Sequence, residues 1–382
     1  MPRVAVVAAR RTPVAKGGRA YAAVHPVDLL AGVLADLVGS LAPVPAEDIG
    51  EVLVGCTHQG AEQAVNTGRN AWLAAGLPLT TPATTLDAQC GSSQQAANLA
   101  HALVASGQRD LVLAAGVESL TRVPMFSTWQ DRNPYSPALL ERFDMPHQGV
   151  AAERMARKYG VTRADADAWG YESHTRAARA WASGAFAAET SLVTGRGTAL
   201  LDRDEGIRAD TTPEALARLK PVYDPAGVTT AGNASQISDG ASAVVLASAT
   251  ACDRYGLSPL AWIEDTVTVG VDPEIMLEGP IVATERLLER NGRRIEDIAH
   301  IELHEAFAVP VCAWLSVHRA DPARVNPDGG AIGIGHPFGA SGTRQLAHLA
   351  HALHASGPGT WGLQAMCAGG GIGTGTLLRS PD

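Results

Sequence analysis

Apolar and polar positions alternate in two rhythms along most of the chain. Val4–Ala9, Glu51–Gly55 and Leu111–Gly116 are short aliphatic runs ended by glycine or polar residues, the pattern of buried strands. Between them, Pro26–Gly39 and Asn66–Ala75 carry apolar residues at helical spacing, and Asp28 is placed to cap the first. Farther on, Ala243–Ala247, Ala261–Val269, His300–Leu303 and Thr376–Leu378 predict strands. Pro280–Asn291, Phe307–His318 and Gly342–Ser356 predict helices. This alternation indicates an α/β protein with a largely buried, mixed or parallel sheet and helices on its faces.

From about Ser119 to Ser238 the rhythm breaks. This stretch is rich in Pro, Arg and Asp, holds helical patterns at Val150–Tyr159 and Arg163–Ser183, and reads as a cover laid over the core. The flanking halves share one local feature: Cys90-Gly91-Ser92-Ser93 opens a helix, and so does Gly339-Ala340-Ser341-Gly342. That feature suggests an internal duplication. The expected organisation is a first half, 1–118 continued by 239–258, a covering segment, 119–238, and a second half, 259–382.

Composition narrows the function. The 382 residues are 46% hydrophobic and 18% charged, with a mean hydropathy of +0.02, the balance of a globular chain with ample core. Two or three domains fit the length, and no apolar run reaches the ~18 residues of a membrane span. A net charge of −9, with no run of Lys or Arg beyond two, excludes a nucleic-acid partner. The first apolar run is too short for a secretory signal and the C-terminus carries no targeting tripeptide, so the expected location is cytoplasmic. The five cysteines are scattered, with no C-x-x-C pair, and are expected as free thiols serving packing or chemistry.

Four segments can carry chemistry. Cys90 stands just before a helix, where a thiol faces free N–H groups and a positive dipole, and that position predicts a lowered pKa and a nucleophile; packing is the alternative. Gly329-Gly330-Ala331-Ile332-Gly333-Ile334-Gly335-His336-Pro337 implies a tight loop presenting His336. Met366–Gly375 holds Cys367 and a run of glycines. It lacks the P-loop lysine and breaks the dinucleotide pattern at Thr376, and so suits an acid/base thiol beside exposed N–H groups. His304-Glu305-Ala306-Phe307-Ala308 does not complete H-E-x-x-H. His348, His351 and His354, spaced by three, read as a solvated or interface stripe, and no metal site is expected.

Taken in order, these segments resemble the thiolase family: a Cys followed by Gly-Ser, then H-E-A-F, then G-H-P-x-G-x-S-G, then C-x-G-G-G-x-G. The likeness extends to Arg11-Thr12-Pro13, Asp204-Glu205-Gly206-Ile207-Arg208, Leu219-Lys220-Pro221 and Thr230–Gly240. It implies a duplicated fold of two similar mixed-sheet halves in αβαβα layers, with a covering loop domain inserted in the first half. It also implies acyl-CoA acyltransferase activity that makes or cleaves a C–C bond by Claisen chemistry through an acyl-enzyme on Cys90.

Under that resemblance His336 is the base toward Cys90, and Cys367 is the second acid/base. The N–H groups of Cys90 and Gly369 form one oxyanion hole, and His336 with His304 forms the other. His147, Gln148, Lys220, Ser235 and Phe307 contact substrate or coenzyme A. Coenzyme A thioesters are substrates, and no tightly bound cofactor is expected. A homodimer or homotetramer is expected, with a fatty-acid-oxidation complex as a further association. His304, in place of the Asn of many biosynthetic members, together with Gln148 and Ser93-Gln94, leans toward 3-ketoacyl-CoA substrates larger than acetoacetyl-CoA. The alternatives are a specialised biosynthetic condensing acyltransferase and a non-catalytic CoA-binding or scaffold subunit.

Overall fold

The computed structural model describes residues 3–130, 132–195 and 197–382. Nine strands form the main path of one sheet: β1 (Val4–Arg11), β2 (Glu51–Gly55), β3 (Ala83–Leu86), β4 (Leu111–Ser119), β5 (Ser238–Ser248), β6 (Ala261–Gly270), β7 (Ile298–Leu303), β8 (Trp361–Ala368) and β9 (Ile372–Arg379). Their order across the sheet is β7-β8-β9-β6-β1-β5-β4-β2-β3, and the two-residue strand Ala15–Lys16 adds to β5. The longer helices are α1 (Pro26–Gly39), α2 (Thr67–Ala74), α3 (Ser92–Ala105), α4 (Gln148–Tyr159), α5 (Arg163–Ser183), α6 (Gly279–Arg290), α7 (Ala308–His318) and α8 (Ser341–His354).

The two halves of the sheet repeat one pairing scheme. In the first, β1 runs antiparallel to β5, β5 antiparallel to β4, and β4 parallel to β2. In the second, β6 runs antiparallel to β9, β9 antiparallel to β8, and β8 parallel to β7. The halves join where β1 meets β6 through three pairs, Val4 with Ile263, Ala5 with Trp262 and Val6 with Ala261. Helix α1 covers the outer face of the first half and α6 that of the second, while α3 and α8 pack on each other and on strands of both. The result is the αβαβα layering implied by the resemblance. The central helices are lined by small residues such as Ala96, Ala97, Ala100, Ala347 and Ala350, which let helix and sheet approach closely.

The covering region returns to the core through buried polar ties. Glu305, just past β7, accepts from Trp169 Nε1 (2.9 Å) and Ser173 Oγ (2.6 Å) on α5. None of the described helices is long and apolar enough to cross a membrane.

Three expectations change. The cap of α1 is His25, whose Nδ1 accepts from Val27 N at 3.2 Å; Asp28 lies within the first turn instead, because Pro26 opens the helix. Met366–Gly375 is mostly a hairpin, β8 to β9, and only Gly369–Gly371 leave the ladder. Gly370 and Gly371 turn the chain at φ 76° and 80°, and Gly373 lets β9 meet α6, where a Cβ would stand 2.5 Å from the Gly279 Cα. The histidine stripe on α8 is not solvated as a whole. His348 is buried against two carboxylates, His351 lies against Ala9 O, and only His354 is exposed.

Candidate active site

Cys90 sits on a sharp turn between β3 and α3. Ala88 and Cys90 bridge around Gln89, whose φ of 53° is the left-handed region. Ser92 pins this turn by accepting from Ala88 N (2.9 Å) and donating to Gln89 O (2.5 Å). The thiol is 5% exposed. Burial, with Glu118 next, pushes it up to about 12, while the Gly369 N–H works in the opposite direction. The helix start therefore does not give a lowered pKa, because desolvation outweighs the dipole. The resting group is a neutral thiol that needs a base.

An imidazole stands beside it. The loop carrying His336 is held at its backbone by Ser238 Oγ, which accepts from His336 N at 3.1 Å. His336 Nδ1 lies 2.6 Å from Ser341 Oγ, and that hydroxyl donates to Pro337 O at 2.9 Å. The serine proton is thus committed elsewhere, so Nδ1 carries the imidazole hydrogen and Nε2 keeps a free lone pair. Nε2 is buried with no hydrogen-bond partner. Glu118 fixes the same loop from the other side by accepting from Gly339 N (2.9 Å), His58 N (3.1 Å) and Gln63 Nε2 (2.7 Å).

His304 follows β7 and donates its N–H to Ala365 O at 3.0 Å. Its ring lies 4.3 Å from that of His336, and both ring nitrogens are buried without partners. Burial first, and the Arg344 cation second, pushes His304 down to about 3. Burial, His304 and Arg344 lower His336 in the same sense. Both rings are neutral. One ligating atom from each of Cys90, His304 and His336 lies within 4.8 Å of the other two. Three such donors are the minimum for zinc. These rings, however, are oriented by a serine hydroxyl or by nothing, not by the carboxylate or carbonyl that orients metal-bound imidazoles.

Cys367 ends β8 opposite Gly373 and is buried. It lies outside the 4.8 Å cluster, and its thiol is raised by burial first and then by Cys90. Gly369, two residues on, stands in the hairpin turn whose N–H reaches the Cys90 sulfur.

The residues expected to contact substrate or coenzyme A form a second tier. His147 caps α4, with Nδ1 accepting from Gly149 N at 3.1 Å, and stacks on Tyr223 at 5.1 Å. Tyr223 meets Phe307 edge-on at 6.1 Å. Ser235 donates its N–H to Ala306 O at 3.0 Å, beside the Ala234–Phe307 bridge. Gln148 begins α4 and is half-buried, and Lys220 is exposed past a short helix at Pro213–Ala217. Sequence reasoning missed Ser341, Glu118, Tyr223 and Glu305. Two of them had a signal within the quoted motifs: Ser341 follows His336 by five residues, and Glu305 directly follows His304.

Comparison with known proteins adds to this geometry. Residues 4–250 match the family model described as thiolase, N-terminal domain, and residues 257–380 match thiolase, C-terminal domain. A beta-ketoadipyl-CoA thiolase of Pseudomonas putida is 39% identical over 394 residues, covering 98% of each chain. A steroid 3-ketoacyl-CoA thiolase of Mycobacterium tuberculosis is 39% identical, covering 99% of this chain and 94% of its own. The crystal structure of human mitochondrial 3-ketoacyl-CoA thiolase superposes with a TM-score of 0.90 at 31% identity, covering 99% of each chain.

Proposed function

From the premise that this chain belongs to the thiolase family and is an acyltransferase of CoA thioesters, we propose that Cys90, His336 and Cys367 carry its two half-reactions. The observation that carries this reading is the His336 ring, neutral and held through Nδ1, with Nε2 unpartnered in a cluster within 4.8 Å of the Cys90 sulfur.

In the cleavage direction the Cys90 S–H proton passes to His336 Nε2 as the sulfur attacks the ketone carbon of a 3-ketoacyl-CoA. The oxygen becomes an alkoxide, held by the new Nε2–H and by His304. Collapse breaks the C–C bond, leaves an acyl thioester on Cys90, and releases the enolate of acetyl-CoA. The Cys367 S–H protonates that enolate carbon. In the second half the Cys367 thiolate takes the proton of an incoming CoA thiol, whose sulfur attacks the acyl group. The Cys90 and Gly369 N–H groups hold this second oxyanion. The leaving Cys90 sulfur takes back the proton from His336, and the enzyme is restored. Condensation runs the same steps in reverse, so a biosynthetic role uses the same groups. No step requires a tightly bound cofactor.

His147, Gln148, Phe307 and Ser235 serve the thioester end of the substrate, a role supported by the continuous contact from His147 through Tyr223 to Phe307. Lys220, exposed and farther out, serves the nucleotide end. We assign the halves as 1–118 with 239–258 and as 259–382, around the cover 119–238, supported by β5 rejoining the first half of the sheet. A homo-oligomer is supported by the outer edge of β3, flanked by Val65 at 85% and Leu79 at 78% exposure. A thiol nucleophile that must stay reduced suits the cytoplasm. A scaffold subunit would have no use for three assembled reactive groups.

Intact-protein mass after brief incubation with acetyl-CoA and longer acyl-CoAs, followed by peptide mapping, tests the reading. An acyl adduct on Cys90 is expected; its absence with every acyl-CoA would overturn the assignment.

A further inference from the structure

Cys90, His304 and His336 bring together a thiol and two imidazoles, the donor types that borderline and soft cations prefer. One ligating atom of each lies within 4.8 Å of the other two, and all three residues are buried. Nε2 of His336 and both ring nitrogens of His304 are buried with no hydrogen-bond partner. A tetrahedral ion, with nitrogen at about 2.0 Å and sulfur at about 2.3 Å, holds such donors about 3.5 Å apart. The cluster therefore has to close by little more than about 1 Å. His304 can supply that movement, because no hydrogen bond fixes its ring. His336 is held by Ser341 Oγ, 2.6 Å from Nδ1, and that contact leaves Nε2 as its donor nitrogen.

The surrounding charges accommodate a cation. Glu118 and Asp87 are the carboxylates whose charge acts on the Cys90 thiol. Arg344 is the cation that acts on both rings, and its Nη2 faces Glu302 Oε2 at 3.7 Å. Both rings are neutral, the form in which imidazole ligates a metal. The sulfur is 5% exposed while the rings are closed off, so an arriving ion meets the sulfur first.

We propose that Cys90, His304 and His336 form an inhibitory site for a thiophilic divalent cation of the zinc type, with the fourth position left to water. The ion is a visitor and not a resident, because no carboxylate or carbonyl orients the rings from behind. As the metal–sulfur bond forms, the Cys90 S–H proton leaves to solvent and the two imidazoles give lone pairs; nothing is oxidised or reduced. The bound ion occupies both the sulfur and the Nε2 lone pair. Acylation then stops until a chelator withdraws the metal, a consequence that rests on the acyl-transfer reading above. His304 decides the matter. With the Asn of many biosynthetic members in its place, the thiol and a single imidazole would remain, short of the three donors zinc requires.

The test titrates the full chain with Co2+, a spectroscopic stand-in for Zn2+. The expected result is a single ion per chain, with a thiolate-to-cobalt charge-transfer band in the near ultraviolet and the strong visible absorption of a tetrahedral ion. Zn2+ should displace it and Mg2+ should not. Loss of an outer contact alone costs a metal site about 10–100-fold, so His304→Asn, which removes a ligand, should weaken binding about a hundredfold or more. The wild type gives a second reading that needs no variant: Zn2+ should protect Cys90 from iodoacetamide, as read by peptide mapping. Absence of the charge-transfer band, or alkylation of Cys90 unchanged by Zn2+, overturns the proposal. Undiminished binding in a folded His304→Asn also overturns it, and a loss in Cys367→Ala would then point to a two-thiol site. If Zn2+ binds and protects Cys90, yet acetyl-CoA leaves no acyl-Cys90 either before zinc or after its removal by EDTA, the metal site stands and the acyl-transfer reading falls.

Discussion

His348 Nδ1 lies 2.9 Å from Glu189 Oε2, and both side chains are fully enclosed. The other face of the ring, Nε2, is 3.2 Å from Asp328 Oδ2. Glu189 also takes Arg11 Nε at 2.7 Å, and Arg11 reaches Asp204 at 2.5 Å. One chain of charges therefore ties β1, the covering segment and α8 together. Burial opposes the charge on His348, but Glu189 and Asp328 outweigh it and hold the ring at about 10.

This pair sets a pH window for stability. The folded pKa of His348 is raised, so its contribution is complete below the unfolded value of about 6.5 and is lost as pH rises through about 10. Replacing His348 by Gln leaves Glu189 and Asp328 short of a buried partner and is expected to cost about 3–5 kcal/mol at pH 6. Urea unfolding of both proteins at pH 6 and pH 10 checks this, and the gap should narrow at the higher pH.

Cys90 alkylation reports the resting thiol. With the group pushed up to about 12, the rate with iodoacetamide should climb steadily from pH 7 to pH 10 without levelling. Peptide mapping separates it from Cys56, Cys252, Cys312 and Cys367. A plateau below pH 8 would instead reveal a standing thiolate–imidazolium pair.

Ser341 positions His336 through its Nδ1 hydrogen. Ser341→Ala removes that acceptor and frees the tautomer, and the rate of Cys90 acylation is expected to fall about tenfold to a hundredfold. Ser341→Thr, which keeps the hydroxyl, should restore most of the rate. Equal losses in both variants would point to packing alone.

Cys367→Ala separates the half-reactions. Acyl transfer from acetyl-CoA to Cys90 should remain detectable by mass, while exchange of the acetyl-CoA α-protons with deuterated water should be lost. Unchanged exchange would reduce Cys367 to a packing residue.

The sequence was most legible where chemistry and geometry are local. Pro26–Gly39 and Arg163–Ser183 carry their helical spacing on their own residues, and their ends match the structure. The reactive segments were readable because each carries a rare side chain, and three of the four set it among glycines. What escaped depends on long-range approach. The strand Trp361–Ala368 is buried on both faces, so it shows no alternation, and its neighbour's glycines mimic a loop. Glu118 is an ordinary acid in sequence, and only the fold brings Gly339 to it across more than two hundred residues. The Cys90 pKa inverted its expectation because burial is a property of the finished core.

The three pairs that join β1 to β6 have a consequence for how the chain is made. β1 is made before every other strand of this sheet, yet its two neighbours in it, β5 and β6, begin only at Ser238 and Ala261. For most of synthesis the N-terminal strand has both edges open. Its aliphatic residues must then wait through the emergence of the whole covering segment, a long closure that slows folding and exposes an adhesive edge. Polar substitution of the buried Val4 or Val6 should therefore act on yield of folded protein before it acts on catalysis.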